Sequence, residues 1–178
     1  MSTKSIETFE IRKAEPEEYE TLGRMTVEAY EELPGMPSRQ EQKEYYGMLF
    51  DVAARASMPS IEILVAVAPD MEILGGVTFV GDMRYYKSGG TAGSVANASG
   101  IRLLAVKPEA RRFGVGKALT NACIRKTKMI GKAQVILHTT KSMETAWRMY
   151  ESMEFKRSPD LDFQQGSLAV FGFSKIIA

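Results

Sequence analysis

Apolar and polar residues alternate through residues 9–14 (FEIRKA), the pattern of a half-buried strand, and Pro16 then opens a stretch with helical spacing. Tyr19, Leu22, Met25, Val27, Ala29 and Tyr30 give that helix an apolar face, which ends where residues 33–37 (LPGMP) bring two prolines and a glycine. Ser38 is placed to cap a second helix. Its stripe of Tyr45, Met48, Leu49, Val52 and Ala53 runs on toward Met58 and Pro59. Two apolar runs follow, IEILVAVA at 61–68 and MEILGGVTFV at 71–80, and the Pro69-Asp70 step between them predicts an antiparallel hairpin.

Residues 87–100 (KSGGTAGSVANASG) are rich in glycine and small side chains and read as a long loop or flap, a length that is uncommon without a function. Residues 101–106 (IRLLAV) form a strand halted by Lys107-Pro108, and residues 133–139 (AQVILHT) form another. Between them Val115, Ala118, Leu119, Ala122, Lys126 and Met129 fall on one helical face, with Gly131 as the stop. Ser142 begins a further helix whose stripe is Met143, Ala146, Trp147, Tyr150 and Met153, with Glu144 and Arg148 as an outward i, i+4 pair. A turn-rich segment at 158–166, with room for a short strand near Phe163, leads to a last strand at 167–177. The order β, α, α, β, β, β, α, β, α, β places antiparallel strands before one β-α-β unit. The class is therefore mixed α/β with an α+β-type sheet, not a doubly wound one.

Composition narrows the function. The 178 residues, 44% hydrophobic and 25% charged, suit one globular domain, so disorder and collagen-like repeats are excluded. No apolar run reaches the length of a membrane span, and the first twenty residues lack the apolar core of a secretory signal, so an intracellular, cytoplasmic protein is expected. One cysteine, Cys123, and one histidine, His138, leave too few ligands for a zinc site and no internal disulfide. Cys123 reads as a buried, inert helix residue, and His138 at a strand end reads as structural. A net charge of +1 argues against nucleic acid as a partner. Its distribution is uneven: residues 1–72 hold seven basic and fifteen acidic residues, while residues 101–132 hold nine basic residues against Glu109 alone. A polyanion would prefer the later segment and a cation the earlier one.

The chemistry is concentrated in residues 103–122 (LLAVKPEARRFGVGKALTNA). A strand ends at a proline, a short loop carries Arg111 and Arg112, and Gly114 and Gly116 sit where a helix begins. The first turn of a helix has unpaired N–H groups and a partial positive charge, so glycines there let a phosphate approach the backbone. Arg111, Arg112 and Lys117 add the charge a pyrophosphate requires. A P-loop is excluded because Arg111 and Ala118 occupy its first glycine and its Ser/Thr positions. A dinucleotide fingerprint is excluded because its third glycine would fall on Leu119.

The segment LAVKPEARRFGVGKAL resembles the GCN5-related N-acetyltransferase (GNAT) signature, Arg/Gln-x-x-Gly-x-Gly/Ala after a strand of the form L-x-V-x-P. Leu104, Val106 and Pro108 match the strand, and Arg111, Gly114 and Gly116 match the loop. Residues 139–155 (TTKSMETAWRMYESMEF) are similar to the family's closing helix, with Ala146, Tyr150 and Phe155 in register. The resemblance implies a mostly antiparallel sheet of six to seven strands with one β-α-β unit and four flanking helices, in a single domain over residues 1–178. It implies acetyl-coenzyme A as acyl donor, no metal, and a primary amine of a small molecule or peptide as acceptor. Leu104, Ala105 and Val106 would lie along the pantetheine arm, bonded through the backbone of Leu104 and Val106. Arg111, Arg112, Phe113, Gly114, Val115, Gly116, Lys117 and Ala118 would hold the pyrophosphate. Tyr150 would be the general acid for the departing thiolate, and backbone N–H near Val106 would polarise the thioester carbonyl. Family habit and the apolar last strand imply a homodimer.

Several positions depart from the pattern. Met143 stands where an asparagine is common, and Arg112 and Glu154 stand where glycines are common. Residues 101–106 lack the acidic general base that many members carry, which leaves a water chain or an early glutamate such as Glu31 or Glu32. The acceptor is expected between the early helices and the 87–100 loop, among Tyr30, Glu31, Glu32, Tyr45 and Tyr46.

Overall fold

The two apolar runs pair as predicted: β2 (Ile61–Val67) lies antiparallel to β3 (Ile73–Val80). Ile63, Val65 and Val67 cluster with Leu22 and Met25 of α1 (Tyr19–Glu31), while Leu64 and Ala66 cluster with Leu119 and Cys123 of α4 (Val115–Met129). A strand covered on both faces needs no polar alternation, which explains the unbroken run. Each leucine or isoleucine so enclosed contributes roughly 1.5–3 kcal/mol of burial.

The computed structural model describes residues 8–177; the expected single domain over residues 1–178 includes residues 1–7 and 178, which lie outside the described residues. β1 (Glu10–Lys13) pairs with β2, and β4 (Ala98–Val106) pairs with β3, both antiparallel. β5 (Gln134–Thr139) lies parallel to β4, and α4 is the crossover between them, giving the predicted β-α-β unit. β8 (Leu168–Ile176) pairs antiparallel with β5 on one side and with β6 (Lys156–Arg157) and β7 (Phe163–Gln165) on the other. The path is β1-β2-β3-β4-β5-β8-β6, with β7 attached to β8, and β6 takes the sheet beyond the strands that periodicity predicts.

The second predicted helix is divided into α2 (Lys43–Phe50) and α3 (Val52–Ala56). Asp51 leaves the helical region (φ −81°, ψ 72°), and its carboxylate accepts the N–H of Ala54 at 3.0 Å, capping the second piece. With α5 (Glu144–Ser152) the helices number five among the described residues, where the resemblance implies four. α1 and α2 cross closely: a Cβ added at Gly23 would lie 2.1 Å from the Phe50 carbonyl oxygen, so only glycine permits this approach. Glu144 and Arg148 form the predicted exposed ion pair.

Candidate active site

The site begins with an irregularity in β4. Gly76 of β3 faces Ala105 and Thr78 faces Arg102, so β4 spends one extra residue over this interval, and Leu103 takes a left-handed backbone (φ 55°). Such a bulge bends its strand. The parallel pairing of β4 with β5 covers only Ala98↔Gln134 to Ile101↔Leu137, and past that point the two strands part.

Backbone direction along the parted edge follows from one bond. The N–H of Lys107 donates to the Leu74 carbonyl at 2.9 Å, so Lys107 and Ala105 turn their backbone groups toward β3. Groups of successive residues alternate, so those of Leu104 and Val106 face the gap where β5 has left. Ala105 is buried with its backbone turned to β3.

At the far end of β4 lie the residues read from the sequence as a phosphate cradle. Gly114 caps α4 with φ 80°, a conformation that costs any other L-residue about 1–2 kcal/mol, and a Cβ there would meet nothing within 4 Å. At Gly116 a Cβ would lie 3.4 Å from the Met149 sulfur and 3.7 Å from Leu104 and Val106 side-chain carbons, so the cradle, β4 and α5 converge there. The first helical bond runs from the Ala118 N–H to the Gly114 carbonyl, and the Arg111 N–H is held by Pro108. The N–H groups of Val115, Gly116 and Lys117 therefore have no acceptor within the helix. Arg111, Arg112 and Lys117 are exposed and make no ion pair among the described residues, and Phe113 is 45% exposed beside them. The Val115 side chain is buried in the core.

Arg112 adopts φ 72° and Glu154 φ 67°. At both positions where a glycine is common, the backbone keeps the glycine-type conformation in its absence.

Tyr150 lies on α5 with its ring 5% exposed, edge-on to Phe155 at 5.7 Å. Its hydroxyl has no hydrogen-bond partner among the described residues, yet only the Arg55 Nε is a wholly buried side-chain polar atom without one, so the Tyr150 hydroxyl reaches accessible space. Burial raises its pKa above the ordinary 10.0, which keeps the proton on the phenol. Cys123 is buried, with its thiol pushed up to about 12, as expected for an inert residue.

A cavity of about 80 Å³ opens beyond the bulge on the other side of the sheet, with Tyr30, Tyr45, Tyr86, Arg102 and His138 among its walls. Tyr30 and Tyr45 were expected here. Glu31 instead pairs with Arg39 at 2.8 Å, Glu32 lines a separate depression beside Lys107, and the Tyr46 hydroxyl donates to the Pro37 carbonyl. Ser88 of the predicted flap lines the cavity, together with Phe163 and Gln165 of β7.

His138 is more involved than its sequence position suggests. Its Nε2 donates to the Leu161 carbonyl at 2.7 Å, which leaves Nδ1 to accept from the Tyr86 hydroxyl at 2.9 Å. The ring is thus the neutral Nε2–H tautomer. Burial, assisted by Arg102, lowers its pKa below 6.5. A lowered value means that the folded protein binds the proton less well than the unfolded chain, so this contribution to stability is full above 6.5 and is lost as pH falls through the folded value. Paired carboxylates such as Glu18, held down by Arg12, act lower, below their ordinary 4.5. The melting temperature is therefore expected to fall between about pH 7 and pH 5, and a thermal series in His138→Gln should lose that slope.

Arg102 and Tyr86 are the residues of this cavity that sequence reasoning missed. The available signal was one charge inside the otherwise apolar run IRLLAV. Among the described residues, no group of three His, Cys, Asp or Glu side chains could hold a metal, and no helix is long and apolar enough to cross a membrane.

Comparison with known proteins matches residues 22–155 to the acetyltransferase (GNAT) family. No curated protein matches by sequence. Among solved structures, an acetyltransferase of the GNAT family from Staphylococcus aureus Mu50 is similar at TM-score 0.71 and 15% identity, covering 95% of this chain and 99% of that one. PaiA N-acetyltransferase from Thermoplasma acidophilum, in complex with coenzyme A, is similar at TM-score 0.66 and 21% identity, with 93% and 98% covered. Spermidine N-acetyltransferase from Vibrio cholerae, in complex with CoA and spermine, is similar at TM-score 0.62 and 12% identity, with 94% and 95% covered.

Proposed function

Because the chain belongs to the acetyltransferase (GNAT) family, we propose that it transfers an acetyl group from acetyl-coenzyme A to a primary amine of a small molecule or peptide by direct attack. The observation that carries this reading is the gap left where β4 and β5 part after Ile101 and Leu137. It runs from the glycine cradle to the cavity beside Arg102, with the backbone of Leu104 and Val106 facing it. That spacing suits an extended donor with its pyrophosphate on Val115, Gly116 and Lys117 and its thioester near the bulge.

The chain's own groups then have defined tasks. Leu104 and Val106 bond the arm as a strand would, and backbone N–H near Val106 stabilises negative charge on the carbonyl oxygen. The neutral amine nitrogen bonds to the acetyl carbon, the carbon–sulfur bond breaks, and its electron pair stays on sulfur. The amine sheds one N–H proton and the Tyr150 hydroxyl supplies one to sulfur; exchange with solvent restores the phenol. Among the described residues no carboxylate lines the cavity to act as base, so an acceptor that arrives neutral is deprotonated through water, and positioning supplies much of the acceleration.

The test is thiol release from acetyl-coenzyme A across a panel of amino acids, polyamines, aminoglycosides and peptides. Release that depends on an added amine is expected. Tight binding of acetyl-coenzyme A with no release from any acceptor would instead mark a coenzyme-binding sensor or scaffold.

A further inference from the structure

Arg102 stands in an apolar strand, between Ile101, which is 2% exposed, and the bulge at Leu103. Its guanidinium has no hydrogen bond or ion pair among the described residues. The contact it does make is with the Tyr86 ring, 5.7 Å from the ring centroid. Among the described residues no aspartate or glutamate lines the cavity, and the titratable groups there are Arg102, His138, Tyr30, Tyr45 and Tyr86. The positive charge of Arg102 reaches all of them, favouring the ionised phenols and disfavouring the imidazolium.

A second guanidinium reinforces this field. Arg55 donates to the carbonyls of Met48 and Leu49, its Nε is buried without a partner, and burial followed by repulsion from Arg102 lowers it to about 10. Two acids act on these groups from outside the cavity: Asp51 on Arg55, and Asp162, itself paired with Arg157, on His138. Partly buried charge without a counter-charge is costly, and a bound anion removes that cost. The hydroxyls of Tyr30 and Tyr45 have no partner among the described residues, and burial keeps both protonated, so they are further donors facing the same space.

We propose, resting on the acetyltransferase reading above, that the acceptor is a small amino-acid-like molecule whose carboxylate is held by Arg102 while its amine reaches the thioester. A guanidinium fork matches a carboxylate with two parallel hydrogen bonds, and Arg102 lies one residue before the bulge where the thioester would sit. A cavity of about 80 Å³ holds roughly five to eight waters, the scale of an amino-acid head group. An adjoining depression of about 300 Å³, sharing Met36, Gln165 and Leu168 with the cavity, takes the rest of the acceptor. A polyamine would instead bring further ammonium groups toward two guanidiniums. In the cavity itself the acidic first part of the chain offers no remedy, because Glu31 and Glu32 do not line it; Glu41 lines only the adjoining depression, away from Arg102, where it would meet the tail of the acceptor. The reaction itself is unchanged: nitrogen–carbon bond formation, carbon–sulfur cleavage, one proton lost from nitrogen and one gained by sulfur.

The test compares kcat/KM for amino acids with their carboxamides and methyl esters, and with polyamines, by thiol release. Wild type should favour the free acids by roughly 100-fold or more, because a site built to bond a charged group rejects analogues that lack it. In Arg102→Gln the acid-to-amide ratio should collapse toward one, and Arg102→Lys should retain part of it. The wild-type ratio needs no variant to fold. Carboxylate-free amines or polyamines turned over as well as amino acids would overturn this inference alone, as would an unchanged ratio in Arg102→Gln. Absence of release from every amine, with acetyl-coenzyme A still bound, would remove the acetyltransferase reading along with it.

Discussion

Titration of acetyl-coenzyme A into Gly114→Glu should give no measurable binding under conditions where the wild type binds. Gly114 caps α4 at φ 80° with open space around it, so the new side chain projects into the cradle without clash. A carboxylate about 5 Å from one phosphate charge costs about 3 kcal/mol at an effective dielectric of ~20, a loss of roughly 150-fold. Gly114→Ala separates the two contributions, because it carries the backbone strain without the charge; its affinity should fall by less than about 10-fold. Circular dichroism must show both variants folded. Equal losses in the two would assign the effect to the backbone, and wild-type affinity in Gly114→Glu would place the pyrophosphate elsewhere.

The second large effect is expected from Tyr150→Phe. Loss of a positioned general acid should lower kcat by roughly 100- to 10,000-fold while leaving the affinity for acetyl-coenzyme A within about 3-fold. Phenylalanine preserves the edge-on packing against Phe155, and the removed hydroxyl has no protein partner to orphan, so the melting temperature should barely move. A purely structural tyrosine would behave oppositely, with little change in kcat. The wild-type rate should also rise with pH as the acceptor amine loses its proton, with no fall from Tyr150 below its ordinary 10.0, because burial holds its proton on. Unchanged turnover in the phenylalanine variant would remove the acid assignment.

The sequence was informative where function is local. The cradle lies within residues 111–118, and its letters are constrained by one helix start, one left-handed glycine and a need for positive charge. The antiparallel pair β2 and β3 was equally legible, because two unbroken apolar runs around Pro69-Asp70 have few other solutions. The acceptor cavity was not legible, for a geometric reason. Its walls come from α1, α2, the loop after β3, β4, β5, β7 and β8. The bulge at Leu103 also breaks the alternation that would say which way Arg102 points. The division of the second helix depended on one carboxylate choosing a cap, and β6 is only two residues long, too short for any periodicity. Arg112 and Glu154 were visible as departures, but only the backbone shows that the left-handed turns survived the loss of glycine.

The seam between β4 and β5 is four residue pairs long and joins the two parts of the sheet. A donor whose arm bonded Leu104 and Val106, as proposed above, would do more there than deliver acetyl groups: it would stand in for missing strand. Ligand that binds only the folded state raises stability by RT ln(1 + [L]/Kd), about 2.7 kcal/mol when the donor is at 100 times its dissociation constant. The supply of acetyl-coenzyme A would then set how long each copy of the protein resists unfolding and proteolysis, so a starved cell would lose the enzyme as well as its substrate.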